Sequence, residues 1–328
     1  MSAARGFGGG AVRRRLDGGR WHFQHGPIDC IVGVEGAEEV VAVSVEEAWG
    51  RFVGVLAELV GELPLLRADL SSGRAATAET KGAVARRMVT ACRPYAEAGT
   101  FITAMAAVAG SVAEELVAFF VRPGIARAHV NNGGDIALHL GAGQAFDVGV
   151  VADPALALAG APLAGRFAID CKSSVRGIAT SGWRGRSFSL GIADSVTILA
   201  TSAARADAAA TIVANAVDVD DARIVRAAAS SIRDDSDLGD RLVVRAVPAL
   251  PPALVDSALA LGAAAASAEI DAGRIIAAVL SLQGRWRVVG AVGAAAGDRV
   301  EHAGAIDVAG ARCVAPPGPP WASAAAVC

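Results

Sequence analysis

The sequence predicts an α+β fold, and three observations carry that expectation. Apolar residues recur at three- and four-residue steps in several long segments, the period of an amphipathic helix. Between those segments the chain breaks into short apolar runs bounded by Gly, Pro, Asn and Asp, the pattern of strands and turns. Helices and strands come in blocks more than in alternation, which suits antiparallel meanders over repeated βαβ units.

Trp21–Gln24 and Ile28–Val34 read as strands around the turn His25-Gly26-Pro27. A helix follows near Val45–Glu62, where Phe52, Val55, Leu56, Leu59 and Val60 keep helical spacing, and Pro64 ends it. A second helix is expected over Thr80–Cys92, stopping before Pro94. Thr103–Val121 reads as one continuous third helix, with Met105, Val108, Val112, Leu116 and Phe119 or Phe120 on its stripe. Ala106, Ala109 and Ala113 lie among them and allow close approach to neighbours. The period then changes. Ala126–Val130, Ile136–Leu140 and Ala145–Val151 read as successive strands, with Arg166–Lys172 as a further one. Val175–Thr180 and Ser187–Leu190 flank a Gly/Arg loop. Ser195–Ala200 is a strand, Ala203–Val217 an alanine-rich helix and Leu242–Val247 a strand. A last helix near Leu254–Ala268 precedes strands at Ile275–Leu282 and Trp286–Val292.

The 328 residues are 53% apolar and 19% charged, which excludes a disordered chain. A net charge of −3 argues against nucleic acid or an anionic membrane as the main partner, since both select a basic face. No charge-free apolar stretch reaches the roughly 20 residues of a membrane span, so no membrane partner is expected. Five isolated cysteines without a CxxC favour a reducing compartment, and the N-terminal arginines lack the apolar run of a secretory signal; a cytoplasmic location is expected. Residues 1–20 read as a flexible arm, 21–312 as one α+β domain, and 313–328 as an irregular tail. The acidic stretches Val217–Asp221 and Arg233–Asp240 do not match a calcium loop.

Three segments could carry chemistry. Asn131-Asn132-Gly133-Gly134-Asp135 joins two strands. Its glycines let the backbone approach a flat or phosphorylated ligand, and its polar side chains offer directional hydrogen bonds; the same residues also make an ordinary hairpin turn. Asp207, Thr211 and Asn215 fall at i, i+4, i+8 along one side of a helix. A carboxylate with a hydroxyl suits a hard cation, while Asp near a helix start is also favoured by the dipole alone. Thr180-Ser181-Gly182-Trp183-Arg184-Gly185-Arg186-Ser187 combines hydroxyls, backbone N–H groups and two guanidinium forks, the kit for a pyrophosphate or simply a solvated basic turn. There is no Rossmann glycine motif, P-loop, HExxH or GxSxG, and His22, His25, His129, His139 and His302 do not form a zinc motif.

In order and spacing these segments resemble the flavin transferase, or ApbE-like, family. The matching pieces are Ala106–Glu115, Asn131–Asp135, Thr180–Gly182, Ser195–Ala200 and Ala206–Thr211. A fuller pattern is similar to an uncharacterised branch related to that family: His25–Asp29, Met105–Gly110, Asn131–Leu140, Gly177–Gly182 and Gly185–Asp194. The resemblance implies an ApbE-like body of antiparallel sheet layers with packed helices, binding FAD or FMN and Mg, and possible homodimers. It implies phosphoryl transfer of FMN to a Ser or Thr of a protein acceptor, or cleavage of the FAD pyrophosphate. By the same resemblance Asp207, Thr211 and the backbone carbonyl of Ala109 would hold the metal. Asn131, Asn132, Gly133, Gly134, Asp135, Thr180, Ser181, Gly182, Arg184 and Arg186 would line the flavin site. The chain departs from the family at two points. Ser189–Asp194 holds no counterpart of the transfer-linked histidine, and Gly110-Ser111 stands where the family has Lys-Gly. No catalytic residue is therefore assigned. Two alternatives stand beside transfer: a non-enzymatic flavin- or nucleotide-binding protein, and an enzyme of different chemistry on the same scaffold.

Overall fold

The computed structural model describes residues 9–72, 79–150, 165–291 and 325–326. The chain divides into two units, and the division passes through one strand and one helix.

The first unit comprises Met1–Gln144, Ser174–Ile178 and Thr201–Ala208. Its sheet runs β1 (Val12–Arg15), β2 (Trp21–His25), β3 (Ile28–Gly36), β4 (Ile125–Asn132) and β5 (Asp135–Leu140), each antiparallel to the next. The start of β8 (Gly177–Ser181) extends it, pairing Ile178 with Ile136 and Gly177 with Ala137. Helices α1 (Glu38–Gly61) and α4 (Val108–Val117) pack on this sheet, α3 (Ala83–Glu97) packs against α4 and α1, and α2 (Leu63–Leu66) follows α1. Phe23, Cys30, Val32, Ala128 and Val130 are fully buried on the strands. On the helices Phe52, Met88 and Leu116 are fully buried too, with the Phe23 and Phe52 rings 5.4 Å apart, and each large apolar side chain of this set contributes about 2 kcal/mol by its burial.

Several expectations shift here. Val12–Arg15 lies within the segment expected to be a flexible arm, yet it pairs with Trp21–Gln24. Three consecutive arginines carry no strand periodicity, so the signal is absent from the pattern. The arginines find indoles instead: the Arg13 guanidinium lies 5.4 Å from Trp21 and 5.5 Å from Trp49, and Arg15 lies 5.3 Å from Trp21. Helix α1 starts at Glu38, well before Val45. Helix α3 runs through Pro94 to Glu97. Pro94 falls in the last turn, where a lost N–H removes only one bond, and Gly99 at φ +78° closes the end, with Thr100 N–H donating to the Tyr95 carbonyl.

The segment expected as one helix over Thr103–Val121 has three parts. A 3₁₀ turn (Ala104–Ala107) precedes α4, and another (Ala118–Phe120) follows it. Ala107, at φ −130° and ψ 18°, breaks the helical path and leaves α4 without a side-chain cap of its own. Helix α4 is tied to α1 and α3 by ion pairs. Glu115 accepts from Arg51 Nε at 2.7 Å and Arg87 Nη1 at 2.9 Å. Burial alone would raise Glu115, but these two arginines hold it below the usual carboxylate range.

The second unit comprises Ala145–Ser173, Ala179–Ala200 and Ala209–Cys328. Here the rest of β8 lies beside β9 (Ser195–Ala200), which pairs antiparallel with β12 (Ala277–Leu282), and β12 with β13 (Arg285–Gly290). Helix α7 (Pro252–Asp271) packs on β12 and β13. Gly262 admits this approach, since a Cβ there would meet Val217 at 2.2 Å and Leu280 at 2.7 Å. By length and composition α7 is apolar enough to cross a membrane, but it buries Val255, Leu259 and Ala266 within its unit. A second sheet pairs β6 (Ala145–Val150) with β7 (Gly165–Asp170), and β14 (Ala325–Ala326) adds in parallel inside the segment expected to be an irregular tail. The rest of that tail lies outside the described residues. β10 (Val225–Ala228) and β11 (Leu242–Ala246) form a two-stranded ribbon, with the short α6 (Ala229–Ile232) between them. β10 carried no period-two signal and was not expected. Helix α5 (Ala203–Ala216) is the helix through which the division passes.

Candidate functional site

In the first unit the β4–β5 hairpin ends in a two-residue turn. Gly133 at φ +67° and Gly134 at φ +110° occupy backbone regions that favour glycine, as the Asn-Gly pattern predicts. Asn131 Oδ1 accepts from the Gly134 N–H at 2.8 Å and locks the turn. Asn132, only 5% exposed, donates from Nδ2 to the Ala109 carbonyl at 3.1 Å and accepts from the Asp29 N–H at 3.4 Å. Both asparagines expected to meet a ligand therefore commit polar atoms inside the protein. Asp135 closes the hairpin opposite Asn132 and is nearly buried.

The beginning of α4 meets the beginning of α5. Because Ala107 offers no cap, the first amides of α4 need an acceptor from elsewhere. Asp207, 97 residues further along, supplies it: its Oδ2 accepts from the Gly110 N–H at 2.9 Å, and the Ala109 N–H donates to the same carboxylate. The gesture is reciprocal, since Ala204 N–H in the first turn of α5 donates to Glu114 Oε2 at 3.1 Å. A carboxylate at each helix start also answers the helix dipole. Glycine makes the approach possible. A Cβ on Gly110 would stand 2.3 Å from the Ala203 carbonyl oxygen and 2.9 Å from Asp207 Cβ. A Cβ on Gly177 would stand 2.1 Å from the Ser202 carbonyl carbon.

Burial pushes the Asp207 carboxyl well above its ordinary range, and the Asp135 charge pushes it the same way; the two backbone amides only moderate this. The nearness of Asp135 to Asp207 was not legible in the sequence, although both were candidates. Cys92 on α3 is buried near Asp207, and burial first, with that charge second, drives its thiol up. Thr211 follows one turn after Asp207 on the same helix and is half-buried. Among the described residues no group of three or more His, Cys, Asp or Glu side chains gathers as a metal cluster. In the same unit, His22 Nε2 lies 2.7 Å from Asp29 Oδ1.

In the second unit the Thr180–Ser187 loop leaves β8 under tight control. A Cβ on Gly182 would meet the Asp194 carbonyl oxygen at 2.3 Å. Trp183 N–H donates to the Ala193 carbonyl at 3.0 Å, and Gly185 N–H to Gly182 at 3.0 Å. Thr180 and Thr197 share a hydroxyl hydrogen bond at 2.9 Å. Arg184 lies over the Trp183 ring at 4.9 Å, while Arg186 is exposed. Asp194 gathers this loop, and sequence reasoning had not singled it out. Asn215 turns to structure: its Oδ1 accepts from the Leu190 N–H at 3.0 Å. A pocket of about 350 Å3 lies in the first unit between Leu70, Val89, Arg93 and Glu97, and no predicted site residue lines it.

Among curated relatives, a UPF0280 protein of Methanopyrus kandleri is 35% identical over 160 residues, 48% of this chain and 59% of that one. A UPF0280 protein of Methanoculleus marisnigri is 39% identical over 136 residues, 40% of this chain and 52% of that one. The chain spans about half the length of the curated relatives it matches. Among solved structures, the flavin transferase ApbE of Vibrio cholerae is 13% identical, with 85% of this chain and 96% of that one covered at a TM-score of 0.36. The ApbE protein of Thermotoga maritima is 15% identical, with 64% and 87% covered at a TM-score of 0.34. A family profile described as AbpE bacteria matches residues 13–288, most of the chain, and the chain belongs to that family.

Proposed function

We propose that this protein handles a flavin nucleotide with the help of Mg2+, moving FMN from FAD to a protein hydroxyl or cleaving the FAD pyrophosphate. Family membership supports the reading, as does the resemblance of the hairpin, loop and Asp/Thr helix to flavin transferases. The observation that carries it is the Asp207–Asp135 pair. Two neighbouring carboxylates, one of them driven above its ordinary range by burial and by the other, form an arrangement that a bound cation relieves. The donors fit the ion. Mg2+ prefers hard oxygens, takes few carboxylates and keeps positions for water and substrate phosphate. Asp207 and Asp135 would hold it, with the Thr211 hydroxyl on the next turn of the same helix and the carbonyl of Ala109 as the backbone donor.

Bound there, the metal would supply charge neutralisation for a pyrophosphate under attack. The chain's own work is orientation. The Ala109 and Gly110 amides fix the Asp207 carboxylate, and Asn132 fixes Ala109 through its carbonyl. The Gly133–Gly134 turn has no side chains and would let a flat ligand approach the backbone. The Thr180–Gly182 segment, with Arg184 and Arg186 after it, offers N–H groups, hydroxyls and guanidinium groups to phosphate oxygens.

A second reading, ligand binding without turnover, is favoured by one observation. The Ser189–Asp194 stretch, where the resemblance expects a histidine, is spent on structure: Ser189 Oγ donates to the Gly191 carbonyl at 2.9 Å, and Leu190 is held by Asn215. No proton acceptor comes from Ser189 through Ala193. The test incubates the protein with FAD and Mg2+ and follows AMP release by chromatography and flavin attachment by mass spectrometry. Mg2+-dependent AMP release that disappears in Asp207→Asn supports the enzyme. Tight FAD binding without AMP selects the second reading, and no binding of any flavin overturns both.

A further inference from the structure

We propose that Asp194 is the positioning residue of the Thr180–Ser187 loop, holding Trp183 and Arg184 as one stacked shelf for the phosphate end of a nucleotide. The inference deepens the proposed function and rests on its reading that this loop meets the nucleotide. Three donors converge on one carboxylate. Asp194 Oδ1 accepts from Trp183 Nε1 at 3.1 Å and from Arg184 Nε at 3.0 Å. Its Oδ2 accepts from the Gln283 N–H at 2.6 Å. One oxygen thus faces the loop and the other is anchored to the β12–β13 turn.

That anchor is itself fixed. Gln283 sits at φ +47°, a left-handed conformation unusual for a residue other than glycine. Its side chain is clamped on both ends, accepting from the Leu250 N–H at 3.0 Å and donating to the Pro248 carbonyl at 2.8 Å. The Asp194 backbone takes part as well: its N–H donates to the Ser281 carbonyl at 2.9 Å, and its own carbonyl lies where a Gly182 side chain would be. The carboxylate is 11% exposed and the Arg184 side chain 43% exposed.

An exposed ion pair alone contributes little, and it would need neither the indole nor the turn amide. Here the ion pair has another consequence. Arginine in a glycine-rich loop has many rotamers, and ordering it on binding costs affinity. Asp194 takes Arg184 by Nε and Trp183 by Nε1, so the guanidinium is set over the indole before any ligand arrives. A planar guanidinium beside an aromatic face matches a phosphate attached to a flat base.

The test uses ADP and adenosine as probes in metal-free buffer, with affinities from calorimetry. The readout is the ratio of ADP to adenosine affinity, which a loss of general stability does not move. The wild-type protein is expected to favour ADP by about tenfold or more. Asp194→Asn and Arg184→Gln should each remove most of that preference, and the double variant should lose no more than either single one. Arg184→Lys keeps the charge but not the Nε bond, and should lose the preference as well; it carries the test if Asp194→Asn does not fold. An unchanged ratio in Asp194→Asn or Arg184→Lys, additive losses, or equal wild-type affinity for both probes overturns the inference. ADP preference without flavin turnover or binding would sink the proposed function and leave the shelf standing. Turnover with an Asp194-independent ratio would do the reverse.

Discussion

Two aspartates organise the two units, and their surroundings differ in one respect. Asp194 receives a guanidinium, an indole N–H and a turn amide. Asp207 receives two backbone amides, and the charged group acting on it is another carboxylate, Asp135. Both lie against a glycine that brings the backbone in: Gly182 under Asp194, Gly110 under Asp207. The same side chain on the same kind of glycine step is neutralised in one unit and left with a like charge in the other. A carboxylate already satisfied by a cation serves to hold a shape. One held only by amides, beside a second acid, keeps its capacity for a cation or a proton.

The largest effect should come from filling the two glycine steps. In Gly110→Ala the new Cβ meets backbone of α5 and the Cβ of Asp207, between two helices that cannot shift separately. The expected cost is about 3 kcal/mol in urea unfolding. In Gly182→Ala the obstacle is again a backbone carbonyl oxygen, that of Asp194, but one loop rather than a pair of helices has to shift. There the cost should be about 1 kcal/mol. Equal costs would break the comparison, because they would mean that the loop is as stiff as the helix pair.

A smaller effect separates the two aspartates by pH and metal. The folded state raises the Asp207 carboxyl above its unfolded value, so it favours the protonated form. The resulting stability is fully present below about pH 3.8. It is lost as pH rises through the raised folded value. In metal-free buffer the wild-type Tm should therefore decline across that range, and Mg2+ should restore it near neutral pH, where the ionised form exists to bind it. Asp207→Asn keeps an oxygen for the Gly110 amide and loses the charge. It should gain about 1 kcal/mol at pH 8 without metal and stop responding to Mg2+. Thermal unfolding across pH, with and without Mg2+, checks this. Asp194→Asn serves as the contrast, since its carboxylate already has a guanidinium, and its variant should gain nothing at high pH.

Much of the fold was legible because its signals are local. Asn-Gly marked the β4–β5 turn, and the 3.6 period marked the alanine-rich α5. What escaped depends on partners far along the chain. Helix α4 looked continuous with its neighbours, since nothing in Ala104–Ala107 forbids a helix; the break at Ala107 is supported by Asp207 taking the exposed amides. β1 escaped because arginines stacked on Trp21 and Trp49 do the work that alternating apolar residues usually do. At the candidate site, Asp207 and Asp135 were each readable as polar residues in suitable motifs. Their mutual charge was not, because 72 residues separate a hairpin from a helix and only the folded chain brings them together. Asp194 read only as the end of the Gly185–Asp194 pattern, and its partners Trp183 and Gln283 lie on opposite sides of it in sequence.

The smallest effect is the sharpest probe of the pair itself. Asp135 is the second cause of the Asp207 shift, after burial, so removing its charge should relieve the shift in part. Asp135→Asn is expected to move the pH midpoint of the Asp207-linked Tm decline downward without abolishing it, and to change stability by about 0.5 kcal/mol at neutral pH. The Mg2+ stabilisation should weaken but persist, since Asp207 retains its charge. If the midpoint stays where it was, burial alone sets the Asp207 carboxyl. The contrast with Asp194 would then reduce to depth in the protein, with no like-charged neighbour needed to explain it. A metal response as large as in the wild type would point the same way, because a cation shared by two carboxylates cannot ignore the loss of one.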